Sequence, residues 1–128
     1  MFKLSKKFVF EAAHHLPRHD GKCQRVHGHS WVGWITVEAS QLIKDGPETG
    51  MVMDYADLKA IMKPIVEEYL DHHDLNETTG LENPTSEALA KWIFSMVYSQ
   101  WYAKAPAGVR LVSITIEETC TSRCTYEV

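Results

Sequence analysis

Residues 29–39 read His29-Ser30-Trp31-Val32-Gly33-Trp34-Ile35-Thr36-Val37-Glu38-Ala39, a run dense in aromatic and β-branched side chains that reads as a β-strand. Its apolar residues fall on both parities, with Trp31, Ile35 and Val37 on one and Val32 and Trp34 on the other. Successive strand side chains point to opposite faces, so the sheet is expected to be covered on both. Upstream, Phe2 to Ala13 is rich in Phe and Val with partial alternation and reads as a second strand. Leu16 to Val26 (LPRHDGKCQRV) between them is polar and broken by Pro17 and Gly21, which suits a long functional loop joining two antiparallel neighbours.

Downstream, past the turn-rich stretch Lys44 to Gly50, Asp54 can cap a helix in which Leu58, Ile61, Met62, Ile65, Val66, Tyr69 and Leu70 keep the three-four spacing of a core-facing stripe. Pro64 sits inside it and is expected to remove a hydrogen bond or bend the axis. A second helix starts near Asn83-Pro84-Thr85-Ser86, with Asn83 or Thr85 as its cap, and carries Leu89, Trp92, Ile93, Met96, Val97 and Trp101. Val109 to Glu118 alternates strongly, and a short strand follows around Thr125 to Val128. The order ββαα then ββ predicts an α+β fold: an antiparallel four-stranded sheet with two helices packed on one face.

Length and charge narrow the class. A chain of 128 residues, 45% hydrophobic and 23% charged, fits a single domain spanning 1–128. A net charge of −4 and a pI near 5.9 argue against disorder and against a surface that coats nucleic acid. No apolar run approaches the roughly 20 residues a bilayer span needs, so no membrane partner is expected. Met1 to Lys7 lacks the apolar segment of a signal peptide, so a cytoplasmic location is expected. Three cysteines, Cys23, Cys120 and Cys124, are an odd count better read as thiols than as a disulfide framework.

Histidine is the informative residue. Six of the seven fall in three tight pairs: His14 and His15, His27 and His29, His72 and His73. His27 and His29, two apart in an extended chain, project from one face of a strand. His14 or His15, at the far end of the preceding strand, could lie beside them about 4.8 Å away; parity does not choose between the two. Three imidazoles with one position left open are the pattern of a catalytic zinc. An isolated His-x-His is more often a polar strand entrance; the third histidine and a nearby cysteine favour the metal.

Other polar residues carry their own chemistry. Cys23, flanked by Lys22 and Arg25, sits where positive charge would favour a reactive thiolate. Leu70-Asp71-His72-His73 sets a carboxylate beside an imidazole, the arrangement of an acid/base histidine, although a helix end decorated with histidines would look the same. Glu118 shares parity with Val112, Ile114 and Ile116, so on a regular strand its carboxylate emerges on the apolar face and needs a hydrogen-bonding partner. A ligand edge with two adjacent N–H donors would supply one; the bland alternative is an exposed strand end.

Five strings occur in this order: Phe10-Glu11-Ala12-Ala13-His14, Cys23-x-x-x-His27-Gly28-His29, Leu70-Asp71-His72-His73, Asn83-Pro84-Thr85-Ser86-Glu87 and Glu117-Glu118-Thr119-Cys120-Thr121. Together they resemble the family of 6-pyruvoyl- and 6-carboxy-tetrahydropterin synthases over nearly the whole chain. The short gap between Cys23 and His27 resembles the bacterial 6-carboxy branch, which serves queuosine and other deazapurine synthesis. The resemblance implies a tunnelling fold whose protomers associate into a β-barrel, with a hexamer built as a dimer of trimers. It implies a zinc-dependent lyase that turns 7,8-dihydroneopterin triphosphate into 6-carboxy-5,6,7,8-tetrahydropterin, releasing acetaldehyde and triphosphate.

Carried over by residue, the resemblance implies zinc on His14, His27 and His29, Cys23 as the catalytic thiol, Asp71 and His72 as an acid/base pair, and Glu118 as pterin anchor. Thr85 and Thr119 are implied as secondary pterin contacts. Lys22 and Arg25, which bracket Cys23 in a slightly acidic chain, are expected to meet the triphosphate. Three rivals remain: a 6-pyruvoyl enzyme that only eliminates triphosphate, an unrelated zinc hydrolase, and a zinc-stabilised binding module whose metal is closed by a fourth protein ligand.

Overall fold

The computed structural model describes all 128 residues. The loop-joined strands of the sequence reading form an antiparallel pair, β1 (Phe2–His14) and β2 (His27–Ala39), in register from Phe2 opposite Ala39 to His14 opposite His27. The loop itself carries a single 3-10 turn at Lys22–Gln24.

Next along the chain come helix α1 (Tyr55–Ile65), strand β3 (His73–Asp74), a short helix α2 (Leu75–Thr78) and helix α3 (Ser86–Lys104). Strands β4 (Arg110–Thr119) and β5 (Ser122–Glu127) close the chain, giving the sheet order β3-β1-β2-β4-β5. The four long strands are antiparallel, as expected. The fifth, β3, is a two-residue parallel pairing with Ala12 and Ala13, too short to leave a signal in sequence.

Two sequence expectations resolve into finer structure. Thr85, not Asn83, caps α3, its hydroxyl accepting from the Ala88 N–H at 3.1 Å. Regular α-helix ends at Ile65, one residue after Pro64. One residue beyond Ile65 the coil widens into a π turn, Val66–Leu70, whose last carbonyl-to-amide link runs from the Asp71 N–H to the Val66 carbonyl at 2.7 Å. Such widened turns cluster at functional sites because they re-aim the residues that follow.

The core lies on one face of the sheet. Phe10, Trp31, Ile35, Ile114 and Ile116 pack against Leu58, Ile61, Met62 and Ile65 of α1 and Leu89, Ile93, Val97 and Trp101 of α3. Phe8 lies across β2, and glycine at position 33 leaves room for its ring, which a side chain there would have to displace. A bulge between Leu111 and Ser113 resets the parity of β4, after which Ile114 and Ile116 stand opposite Ile35 and Gly33. Glu118 comes next at a second irregularity, where β4 slips against β5 between Glu117 and Thr119, and its side chain comes out on the core face.

The opposite face, which the sequence reading expects to be covered, has no helix of this chain on it. Both long helices pack on the core face, leaving Val9 59% exposed and Val32 and Trp34 half-buried. Hydroxyl pairs, Ser5 with Thr36 and Thr115 with Thr125 at 2.7 Å each, surround those three apolar residues. Apolar residues on both parities of β2 are thus real, but within one chain only one parity is buried by helices.

Candidate metal centre

The register of β1 against β2 sets His14 directly opposite His27 and Ala12 opposite His29. Because His27 and His29 are two apart, all three imidazoles rise from the core face, with ring centroids 4.6 to 5.1 Å from one another. Trp31, next on the same parity, sets its ring edge-on to His14 and His29 at 4.9 and 5.2 Å. Its indole N–H donates to the Ala12 carbonyl at 3.1 Å, which fixes the wall the histidines lean on.

Two backbone carbonyls orient the rings. The Pro84 carbonyl lies 2.8 Å from His14 Nδ1, and the Arg25 carbonyl 2.7 Å from His27 Nδ1. A carbonyl can only accept, so each Nδ1 carries the proton and donates, leaving Nε2 to face the cluster as an electron pair. His14 is fully buried, and burial holds its imidazole below the usual histidine range; the bond to Pro84 pushes back, and His27 adds to the lowering. A neutral ring is the form a metal needs.

Glu118 completes the group. Its Oε1 lies 3.2 Å from the Nε2 atoms of both His14 and His29. One donor atom from each of His14, His27, His29 and Glu118 lies within 4.8 Å of all the others. A set of imidazole nitrogens and a carboxylate oxygen, on rings fixed by outer hydrogen bonds, suits zinc.

His15 points elsewhere: Asn76 grips its backbone from both sides, accepting from its N–H and donating to its carbonyl at 2.9 Å each. Asn76 also reaches the Glu82 carbonyl at 3.2 Å, tying the end of β1 to the segment that leads to Pro84.

The Asp71–His72 pair stands apart from the metal group. The π turn delivers these residues to the outer edge of β1, where the His72 N–H donates to the Glu11 carbonyl at 2.6 Å and the Glu11 N–H donates to Asp71 Oδ1 at 2.9 Å. The second Asp71 oxygen lies 2.9 Å from His72 Nδ1. Asp71 is held below the usual carboxylate range, first by the Glu11 N–H and then by His72. His72 takes a left-handed backbone, φ 60°, and its ring is 79% exposed. His73 is engaged otherwise, its Nε2 3.1 Å from the Glu67 carbonyl. His72, Glu11, Gly28, His29 and Ser30 line an open groove of about 500 Å³.

The remaining expected residues are more loosely placed. Cys23 is half-buried in the 3-10 turn, its carbonyl accepting from the Leu16 N–H at 2.8 Å, and its sulfur is not among the converging donors. Lys22 and Arg25 are exposed on either side of it, and neither is paired with a carboxylate. The Thr85 hydroxyl caps α3, and the exposed Thr119 hydroxyl lies 3.3 Å from that of Thr121. Sequence reasoning missed the carbonyls of Pro84 and Arg25, which carry no side-chain signature, and missed that Glu118 turns toward the histidines.

Comparison with known proteins adds context to this geometry. A family model described as 6-pyruvoyl tetrahydropterin synthase matches residues 3–128. The 6-carboxy-5,6,7,8-tetrahydropterin synthase of Synechocystis sp. is 50% identical over 98% of this chain and 93% of that protein. The protein of the same name from Haemophilus influenzae is 34% identical over 99% of each. Among solved structures, Caenorhabditis elegans 6-pyruvoyl tetrahydropterin synthase superposes with a TM-score of 0.79 at 28% identity, covering 99% of this chain and 95% of that one.

Proposed function

The chain belongs to the 6-pyruvoyl tetrahydropterin synthase family of enzymes, and from that membership we propose that it is a zinc-dependent carbon–carbon lyase acting on 7,8-dihydroneopterin triphosphate. Its products are 6-carboxy-5,6,7,8-tetrahydropterin, acetaldehyde and triphosphate, in the service of queuosine and related deazapurine synthesis. The observation that carries this reading is the convergence of His14, His27 and His29 on one point at the open end of the sheet. The 6-carboxy branch is favoured by the names and identities of the relatives.

His14, His27 and His29 would hold the zinc, which as a Lewis acid stabilises negative charge on the substrate's side-chain oxygens. Cys23 as thiolate removes a proton from the side chain. Asp71 fixes the tautomer of His72, so that Nδ1 donates to the carboxylate and Nε2 exchanges protons with substrate in the groove. Glu118 accepts from the two adjacent N–H donors of the pterin edge, with Thr85 and Thr119 as flanking contacts. Lys22 and Arg25, unpaired and exposed, meet the triphosphate.

Self-assembly is part of the proposal. The outer edge of β1 from Phe2 to Phe10 and the outer side of β5 have no strand partner, and an unpaired edge invites pairing. Copies joined edge to edge would close a barrel around Val9, Val32 and Trp34, and a hexamer built as two trimers follows; the native mass in solution reads it.

The deciding experiment is incubation of the protein with dihydroneopterin triphosphate and magnesium, measuring product mass and acetaldehyde, then repeating after chelation of zinc. Acetaldehyde with 6-carboxy-tetrahydropterin is expected, and chelation should abolish both. Triphosphate release without acetaldehyde would move the chain to the 6-pyruvoyl reaction; an unchanged pterin would end the proposal.

A further inference from the structure

We propose that Glu118 is the fourth protein ligand of the metal when no substrate is bound, and that it leaves the metal to take the pterin. This rests on the zinc site proposed above and assigns that site a donor that the three histidines alone do not supply.

Distance is the first argument. Zinc bonds of about 2.0–2.1 Å in a tetrahedron set the donors about 3.3–3.4 Å from one another. Oε1 of Glu118 stands 3.2 Å from Nε2 of both His14 and His29, two edges of such a figure at once. A carboxylate held there by hydrogen bonding would need only one of those contacts.

Direction is the second. Neither Nε2 atom makes a hydrogen bond, although both are buried and an acceptor stands within reach. The oxygen lies off the axis along which a ring N–H would donate. In His14 the proton is committed to the Pro84 carbonyl, so a neutral ring meets the carboxylate as one electron pair meeting another. A proton on Nε2 would not mend the contact, because it would point past the oxygen. A cation between the donors satisfies them together, and the strand parity that brings Glu118 to the core face then has its explanation.

One carboxylate cannot hold the cation and the pterin edge together. Glu118 is therefore on the metal at rest and on the pterin in the complex, and the substrate's own oxygens fill the position it vacates. The exchange links metal access to pterin recognition through one side chain.

Cobalt(II), which reports its coordination through visible absorption, is the probe. Metal-stripped wild-type protein, Glu118→Gln and Glu118→Asp are titrated with cobalt(II) against a competing chelator, and spectra are recorded before and after adding neopterin. Thermal melting of the stripped proteins checks that each variant folds. The wild-type protein is expected to show intense four-coordinate bands that move on adding neopterin. Glu118→Gln should bind cobalt at least about tenfold more weakly with an altered spectrum, and Glu118→Asp, which keeps a shorter carboxylate, should fall between them. If Glu118→Gln matches the wild-type protein in cobalt affinity and spectrum, the inference is wrong, and the three-histidine site stands. If wild-type protein binds no cobalt, the metal site itself falls and this inference with it.

Discussion

His14, His27 and His29 stand on two long strands paired residue by residue in the sheet ladder, with Glu118 at an irregularity near the end of β4, whereas Asp71 and His72 stand at the exit of a π turn and are tied to the sheet by two hydrogen bonds to Glu11. The histidines of the first group are supported from several sides: Trp31 walls His14 and His29, and the Pro84 and Arg25 carbonyls orient the rings of His14 and His27. The second is a single salt-bridged pair with an exposed ring. The difference fits the two tasks proposed for them. Metal donors need a preset geometry, while a proton-transfer group must meet a substrate whose position is set by something else.

The largest expected effect separates the two regions outright. Chelation of the metal should cost several kcal/mol of transition-state stabilisation, a loss of about a thousandfold in kcat/KM. The Asp71–His72 region should be untouched, and circular dichroism should show the sheet intact. If chelation lowers the rate less than tenfold, the metal is not part of the chemistry and the division of labour drawn here fails.

Asp71→Asn attacks the other region. The amide can still accept from the Glu11 N–H but no longer favours the Nδ1–H tautomer of His72, so kcat should fall about a hundredfold, within the range of general acid–base groups, with metal content unchanged. The same substitution has a signature in acid. Asp71 is held below its usual range by the fold, so its contribution to stability is complete above the unfolded value of about 3.9 and is lost as pH falls toward the folded one. Urea unfolding should therefore show a gap between wild-type and Asp71→Asn at pH 6 that closes toward pH 3. A gap that is constant with pH would mean the carboxylate is not what the fold stabilises.

How much of each region could be read from the sequence follows from the same contrast. The histidine–glutamate cluster was legible because a strand has a period of two: His27 and His29 share a face, and Glu118 has the parity of Ile114 and Ile116 and keeps their face despite the slip of β4 against β5 beside it. What the pattern could not give was the choice of His14 over His15, because it depends on how far the β1–β2 ladder runs in register; the last pair sets His14 opposite His27, and Asn76, sixty-one residues along the chain, holds the His15 backbone beyond it. The proton-transfer pair was legible as two adjacent residues but not as a site. The π turn after Pro64, the left-handed His72 and the two-residue β3 have no periodicity to detect, and the helical apolar spacing runs on through Leu70 as though nothing changed. The two-sided apolar strand was legible as a pattern, but sequence does not say whether the second face is buried by the same chain or by another copy, and within one chain only one face is covered by helices.

A smaller effect sharpens the rigidity of the metal wall. Trp31→Phe keeps an aromatic face against His14 and His29 but removes the indole bond to Ala12, and should lower stability by about 1 kcal/mol. Metal affinity should drop less than tenfold, because His14 and His27 keep their carbonyl partners. A larger loss of affinity, measured by chelator competition, would show that Trp31 and not the two carbonyls sets the donor geometry.

The smallest effect belongs to the backbone of His72. At φ 60° a residue with a Cβ is strained by roughly 1 kcal/mol, and glycine is not. His72→Ala and His72→Gly remove the same imidazole, so both should lose activity equally. They should differ in stability, with the glycine variant the more stable of the two even though its unfolded chain is freer, because alanine must still adopt the left-handed conformation while Glu11 binds its N–H. Equilibrium unfolding of the two variants side by side measures the difference. Equal stabilities would show that the exit of the π turn relaxes when the imidazole is gone. The left-handed backbone would then be held by the Asp71–His72 contact rather than imposed by the turn, and the proton-transfer region would be softer than its two hydrogen bonds to Glu11 make it.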